Sequence, residues 1–274
     1  YSVSSSNKNE WILRLISDYK KGLNEQNIQP LSDDYIKFIR YGQYFIHKNG
    51  SGILAYISNN SFLEGTIHRQ MRKNLLEEFD TIYILDLHGN SRKKETTADG
   101  SIDQNVFDIM QGVSINIFVK TGKKKEDELG KVFHFDLYGK RALKGDFLHK
   151  NSLKSVNWSK INPVQPYYFF SDKKFENEKE YKKGFAVNEL FTVYTSGIKT
   201  HNDQDLVSPK KFSENNEIYY YRPFDVQYIN YDLRKVVRHR YSVMKHLLAE
   251  NVAILLPRQA VTEKFGFFVS KGLT

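Results

Sequence analysis

Three short, nearly continuous apolar runs constrain this chain more than anything else in it: residues 52–58 (Gly-Ile-Leu-Ala-Tyr-Ile-Ser), 81–87 (Thr-Ile-Tyr-Ile-Leu-Asp-Leu) and 113–119 (Val-Ser-Ile-Asn-Ile-Phe-Val). Runs of this length, rich in β-branched residues, read as strands. The first has the pattern of a parallel strand covered on both faces. Helical periodicity precedes the first two runs. Trp11, Ile12, Leu15, Ile16 and Tyr19 share one face of residues 9–19, and Tyr35, Phe38, Ile39, Phe45 and Ile46 recur from an expected cap at Ser32 to a stop at Asn49-Gly50. Ile67, Met71, Leu75 and Phe79 mark a further helix. A helix-strand-helix-strand series is an α/β layer. Residues 88–111 are polar and aperiodic, and a loop of that length inside a compact domain is usually functional or disordered. With no helix between 81–87 and 113–119, these two are expected as antiparallel neighbours, with 113–119 lying between the other two strands. Residues 132–137 supply one more strand.

Beyond about residue 150 the composition changes. Trp158, Pro163, Pro166, the run Tyr167-Tyr168-Phe169-Phe170 and a charged stretch over 173–183 precede short aromatic and β-branched segments at 191–194, 218–221 and 226–231, and helical signal returns only at 241–248. The expected organisation is a first domain over residues 1–145 and a second, mostly β or α+β module over 146–274, incomplete at its C-terminus.

The 274 residues include 41 Lys+Arg against 32 Asp+Glu and no Cys, which excludes disulfides and Cys-ligated zinc. The apolar runs fall far short of the ~20 residues that cross a bilayer, so no membrane association is expected. Residues 1–6 lack a secretory signal, and a soluble, cytoplasmic protein is expected. There is no GxxxxGK[ST] and no GxGxxG. The His residues lack HExxH spacing, His134 in a strand reads as structural, and no metal site is expected. Glu180-Tyr181-Lys182 is half of a metal-dependent nuclease pattern set in a solvated charge run, and it keeps a nuclease as a minor alternative. Asn59, Asn60 and Ser61 sit at the carboxyl end of a strand, where open α/β sheets build sites. Arg234, Lys235, Arg238, Arg240 and Lys245 gather five positive charges within twelve residues. Such a cluster is either a solvated face or a set of phosphate contacts.

Several stretches together resemble a known family. They are Tyr1-Ser2, the run Asp34 to Arg40, the run Asn49 to Leu63 with its Asn-Asn-Ser-Phe-Leu turn, and Asn105-Val-Phe-Asp-Ile-Met-Gln-Gly-Val-Ser-Ile-Asn-Ile-Phe-Val-Lys120. They are similar to the later half of amino-methylating DNA methyltransferases, and more narrowly to the adenine-N6 enzymes of single-chain restriction-modification proteins of the Type ISP and Type IIG kind. Tyr220-Tyr-Arg-Pro-Phe-Asp225, Arg238 to His246 and Asn251 to Arg258 resemble the target-recognition segment that follows in the same proteins.

The resemblance implies the distal half of a Rossmann-like methyltransferase sheet, with an antiparallel last strand. It implies S-adenosylmethionine as cofactor, with the glycine-rich loop that binds it upstream of Tyr1, so the fragment alone is expected to be inactive. Tyr1, as the last residue of Asn-Pro-Pro-Tyr, and Phe107 would stack on the two faces of an extruded adenine. Phe38 would line the cofactor's adenine, and Arg222 would lie in the DNA reader. The implied partners are double-stranded DNA and upstream nuclease, helicase and methyltransferase segments of a bacterial parent chain. A non-catalytic DNA-binding or interaction module is the rival reading.

Overall fold

The structure, a computed structural model, describes residues 8–25, 27–125, 127–173, 176–222, 224–256 and 266–274. Contacts divide the chain into two units, residues 1–174 and 175–274. Among the described residues no helix is long and apolar enough to cross a membrane.

The first unit begins with α1 (Glu10–Ser17), whose first turn is capped by Asn9 accepting from the Trp11 backbone N–H at 2.8 Å. In α2 (Asp34–Asn49) the cap position is Asp33, because Ser32 closes a preceding 3-10 turn and its hydroxyl accepts from the Lys20 ammonium. Gly50 ends the helix at φ 81°, a left-handed conformation that costs glycine little. Then follow β1 (Gly52–Asn59), α3 (Ser61–Glu64), α4 (Arg69–Glu78), β2 (Thr81–Asp86), β3 (Val113–Lys120), β4 (Lys131–Asp136), α5 (Arg141–Lys150) and β5 (Ser159–Ile161).

The five strands form one mixed sheet in the order β1-β3-β2-β4-β5. β3 lies antiparallel between β1 and β2, with Ile115 opposite Ile57 on one side and Leu85 on the other. The helix-free connection thus sets the order that it predicted. β2 and β4 are parallel, placing Asp86 beside Asp136, and β5 closes antiparallel on β4. β1, β2 and β4 therefore all end at the same side of the sheet. One face packs Ile82, Ile84, Phe118 and Val132 against Ile36, Ile39, Leu75 and Phe62 of the helices. On the other face α5 and Trp158 cover Leu85, Ile115 and Phe135.

Two expectations are corrected. β1 is neither parallel to its neighbour nor covered on both faces: it pairs antiparallel with β3, and Ile53 and Ile57 are 68% and 42% exposed. An apolar run reports burial of some of its side chains and carries no information on the direction of the next strand. The first unit also extends beyond 145, taking in α5 and β5. Arg72 supplies the reason. Its fully buried guanidinium donates to the carbonyls of Phe62, Gly65, Tyr167 and Tyr168 and lies 5.1 Å from the Phe169 ring, while the Phe170 N–H donates to Leu63 O at 3.0 Å. Residues 167–170 are thereby tied to α3 and α4.

The second unit contains α6 (Glu178–Tyr181), α7 (Val187–Leu190), α8 (Asp203–Leu206), β6 (Val207–Ser208), β7 (Glu217–Arg222), β8 (Asp225–Ile229), α9 (Tyr241–Met244), β9 (Ala253–Leu255) and β10 (Phe268–Ser270). β6-β8-β7 form an antiparallel sheet, β9 and β10 form a separate pair, and Ile198, Leu206, Tyr219, Ile229, Val236, Met244 and Leu273 make the core. Residues 191–194, expected as a β segment, are irregular and mostly exposed.

Lys144 of α5 closes the long 87–112 loop onto the sheet. Its side chain is fully buried, and its ammonium donates to Leu87 O, Asp103 Oδ2 and Gln104 O at 2.7, 2.9 and 2.7 Å. All three protons are used. Asp103 is equally buried and accepts from the Gly139 N–H at 2.6 Å. Removing one partner of such a pair strands the other charge, so Lys144→Ala is expected to destabilise the first unit by about 3–5 kcal/mol. Denaturant unfolding followed by far-UV circular dichroism measures this; an unchanged midpoint would contradict the buried pair.

Candidate functional site

At the strand-end side of the first unit, four ionisable residues from three elements converge. Asp136 Oδ1 receives both His88 Nε2 at 2.7 Å and His134 Nε2 at 2.9 Å. The other nitrogen of His134 donates to Phe170 O at 2.7 Å, so Nε2 donates to Asp136 when the ring is protonated. Asp86 accepts from Asn60 Nδ2 at 2.9 Å and from the His88 backbone N–H at 3.0 Å. The His88 ring stacks on Tyr138 with centroids 3.9 Å apart. Asp86, His134 and Asp136 each bring a potential ligand atom within 4.8 Å of the others, the one such group among the described residues. His134 is thus part of a cluster rather than a lone structural histidine.

Electrostatics follow from this packing. Burial works to lower the pKa of both histidines, but hydrogen bonds to Asp136 and the nearby charges of Asp86 and Asp136 prevail and raise both above 6.5. Burial pushes Asp136 up, and its two histidine partners outweigh that, holding it well below the usual carboxylate range. Asp86 is shifted upward by burial despite His88 and Asn60.

The loop above this cluster carries Phe107. Gly89 adopts φ 82° and passes so close to Asn105 that a Cβ would lie 2.4 Å from its Cα, so a side chain there would displace the loop. Asn105 is buried and donates to Gly89 O and Gln111 O at 3.0 and 2.7 Å, while its Oδ1 accepts the Phe107 N–H at 2.9 Å. Arg141, at the start of α5, donates to Asn105 O and Phe107 O at 2.8 and 3.1 Å. The Phe107 ring is 46% exposed beside an open recess of about 670 Å³, lined also by Ile102, Gln104 and Met110.

The other expected site residues divide clearly. Tyr1 lies outside the described residues. Phe38, 49% exposed on α2, has its ring 6.4 Å from that of Tyr56. Asn59 accepts from Ser61 N and Oγ and so shapes the turn into α3, whereas Asn60 is buried and holds Asp86. In the second unit, Arg222 lies at the bulged end of β7 over the Tyr221 ring at 5.5 Å. Arg234 is clasped by Asp232 through Nε at 3.1 Å and Nη2 at 2.9 Å. Lys235, Arg238 and Lys245 are exposed, and Arg240 is part-buried with φ 53° at the start of α9. Glu180, on exposed α6, pairs with Lys183 just beyond it, so the Glu-x-Lys pattern begins on a short helix and not on a strand.

Residues 169–274 match the family model of the Type ISP C-terminal specificity domain. No curated protein matches the sequence. Solved structures similar to the chain include the ATP-dependent Type ISP restriction-modification enzyme LlaBIII bound to DNA, at TM-score 0.73 and 21% identity over 98% of this chain. The DrdV–DNA complex is similar at TM-score 0.71 and 20% identity over 95% of the chain. A nuclease-deletion mutant of the Type ISP restriction-modification enzyme LlaGI, in complex with a DNA substrate mimic, gives TM-score 0.72 and 18% identity over 100%. At these identities the likeness is one of fold. The chain spans 22%, 32% and 28% of the length of these three proteins.

The histidine cluster has a pH signature. A histidine whose folded pKa exceeds its unfolded value stabilises the fold fully below the unfolded value and loses that contribution as pH rises through the folded one. The first unit is therefore expected to lose thermal stability as pH rises above 6.5. His88→Gln should flatten that part of the profile. Melting temperatures across pH 6 to 9 test this, and parallel profiles for the two proteins would remove His88 from the linkage.

Proposed function

We propose that residues 1–174 are the distal part of a methyltransferase catalytic domain, and that residues 175–274 are the DNA target-recognition domain of a Type ISP-like restriction-modification enzyme. The parent protein methylates adenine N6 within a specific duplex sequence. The observation that carries this reading is the order of the two units. A mixed sheet with an antiparallel inserted strand precedes a segment matching a Type ISP specificity domain, and the fold of the whole is shared with enzymes solved on DNA.

The chemistry requires extrusion of the base, since an adenine in a duplex hides its amine, and flat apolar surfaces recover part of the unstacking cost. Phe107 supplies one such surface, held by Asn105 and Arg141 through its own backbone. S-adenosylmethionine supplies the methyl group when bound. The half-exposed Phe38 ring beside Tyr56 fits the stacking role toward its adenine. The residues of this chain then act by positioning two bound reactants.

In the parent protein, Phe107→Ala is expected to lower methyl transfer to duplex DNA about fivefold or more, the stacking surface being worth ~1–3 kcal/mol. Undiminished transfer would exclude Phe107 from the site. In the second unit, Arg238→Ala and Lys245→Ala should each lower the slope of log affinity against log salt by about one unit. Arg234→Ala should do less, because Asp232 already neutralises that guanidinium. A fluorescence-anisotropy salt titration distinguishes these, and slopes unchanged by Arg238→Ala and Lys245→Ala would make the cluster an ordinary solvated surface.

A further inference from the structure

The loop between β2 and β3 exposes more apolar surface than the Phe107 ring alone. Ile102, Ile109 and Met110 are 76%, 37% and 51% exposed, and together with Phe107 they form one exposed apolar patch around the open recess, on an otherwise polar segment. The patch is braced. Asn105 ties its base to Gly89 and Gln111, Arg141 grips the carbonyls of Asn105 and Phe107, and the Ser91 N–H donates to Met110 O at 3.2 Å.

That last bond sets the turn containing Arg92, Lys93 and Lys94, all exposed, directly beside Met110. Three of the four acids of the loop are engaged away from this turn. Asp103 is buried on Lys144, Asp108 pairs with Arg141, and Asp99 is bound within its own turn by Thr97 and Ser101; Glu95 accepts from the Asn90 N–H and lies 4.0 Å from the Lys93 ammonium, leaving Arg92 and Lys94 as the cations of the turn without an acid of the loop beside them. The outward character of the loop is therefore apolar around Ile109 and Met110 and cationic at the adjoining turn.

Duplex DNA matches both halves of this surface. Apolar side chains that enter between base steps contact the stacked faces, and lysine and arginine beside them meet the phosphates that flank the opened step. A thioether adapts to an irregular gap better than a branched side chain does. Resting on the DNA-recognition reading above, we propose that Ile109 and Met110 form a wedge that enters the base stack next to the extruded nucleotide, with Arg92, Lys93 and Lys94 holding the flanking phosphates. One loop then performs both tasks, with Phe107 receiving the base and Met110 occupying the space it leaves.

The test uses the 274-residue chain and two fluorescein-labelled duplexes that differ only in one abasic site. A wedge enters an abasic step without breaking a base pair, so binding to the abasic duplex is expected to be about fivefold or more tighter. Ile109→Ser with Met110→Ser, both exposed positions, should abolish the preference and leave the salt slope intact. Arg92→Ala, Lys93→Ala and Lys94→Ala together should keep the preference and lower the slope by roughly two to three units. Equal affinity for the two duplexes, or a preference that survives the double serine variant, overturns the wedge and leaves the DNA-recognition reading standing. Failure to bind either duplex at low salt overturns that reading and the wedge with it.

Discussion

The ammonium group of Lys144 governs how the chain leaves the sheet after β2. It arrives from α5, more than forty residues further along, and spends its three protons on Leu87 O, Asp103 and Gln104 O. A charge enclosed this completely has no water to turn to, so each of those partners is obligatory. With Leu87 and Gln104 held at one point, the intervening residues must double back, and Asn105, Phe107 and Arg141 fall into the arrangement described above. The long polar loop is in this sense a consequence of one buried cation.

The sheet contributes the complementary constraint. Because β3 runs antiparallel between β1 and β2, the strands β1, β2 and β4 all deliver their carboxyl ends to the side from which the loop rises. Asn60, Asp86 and Asp136 are therefore neighbours at that side. Parallel pairing of β2 with β4 is what allows Asp136 to accept from His88 and His134 together, and it couples the loop's first turn to the end of β4 and, through Phe170, to the segment held by Arg72. Polar groups that would be costly alone are each partnered, which makes the cluster a specifier of geometry as well as a proton-linked element.

The apolar runs were legible because burial is written locally. A stretch such as Thr81 to Leu87 cannot remain in solvent, whatever surrounds it. The place of β3 was legible too, since a connection lacking a helix leaves few ways to lie in the sheet. α5 was hidden for a definite reason: its buried face presents Lys144 where a helical pattern would call for an apolar residue, and Leu143 is 61% exposed. The reach of the first unit to 174 was hidden in the same way, resting on four carbonyls that a single arginine gathers. Asn60 was legible as a strand-end residue; its task of holding Asp86 was not.

By itself, then, the sequence determined the three strands, the helices between them, the change of character in the later residues and the loop bearing Phe107, since each is set by the periodicity or polarity of adjacent residues. Only the tertiary structure decided that β1 is an edge, that His88, His134, Asp86 and Asp136 form one cluster, and that Arg234 is bound to Asp232 while Arg238 and Lys245 stay exposed. Most of these depend on pairings between residues distant in the chain, and the strength of a charge or a hydrogen bond depends on burial and partners that no local pattern records.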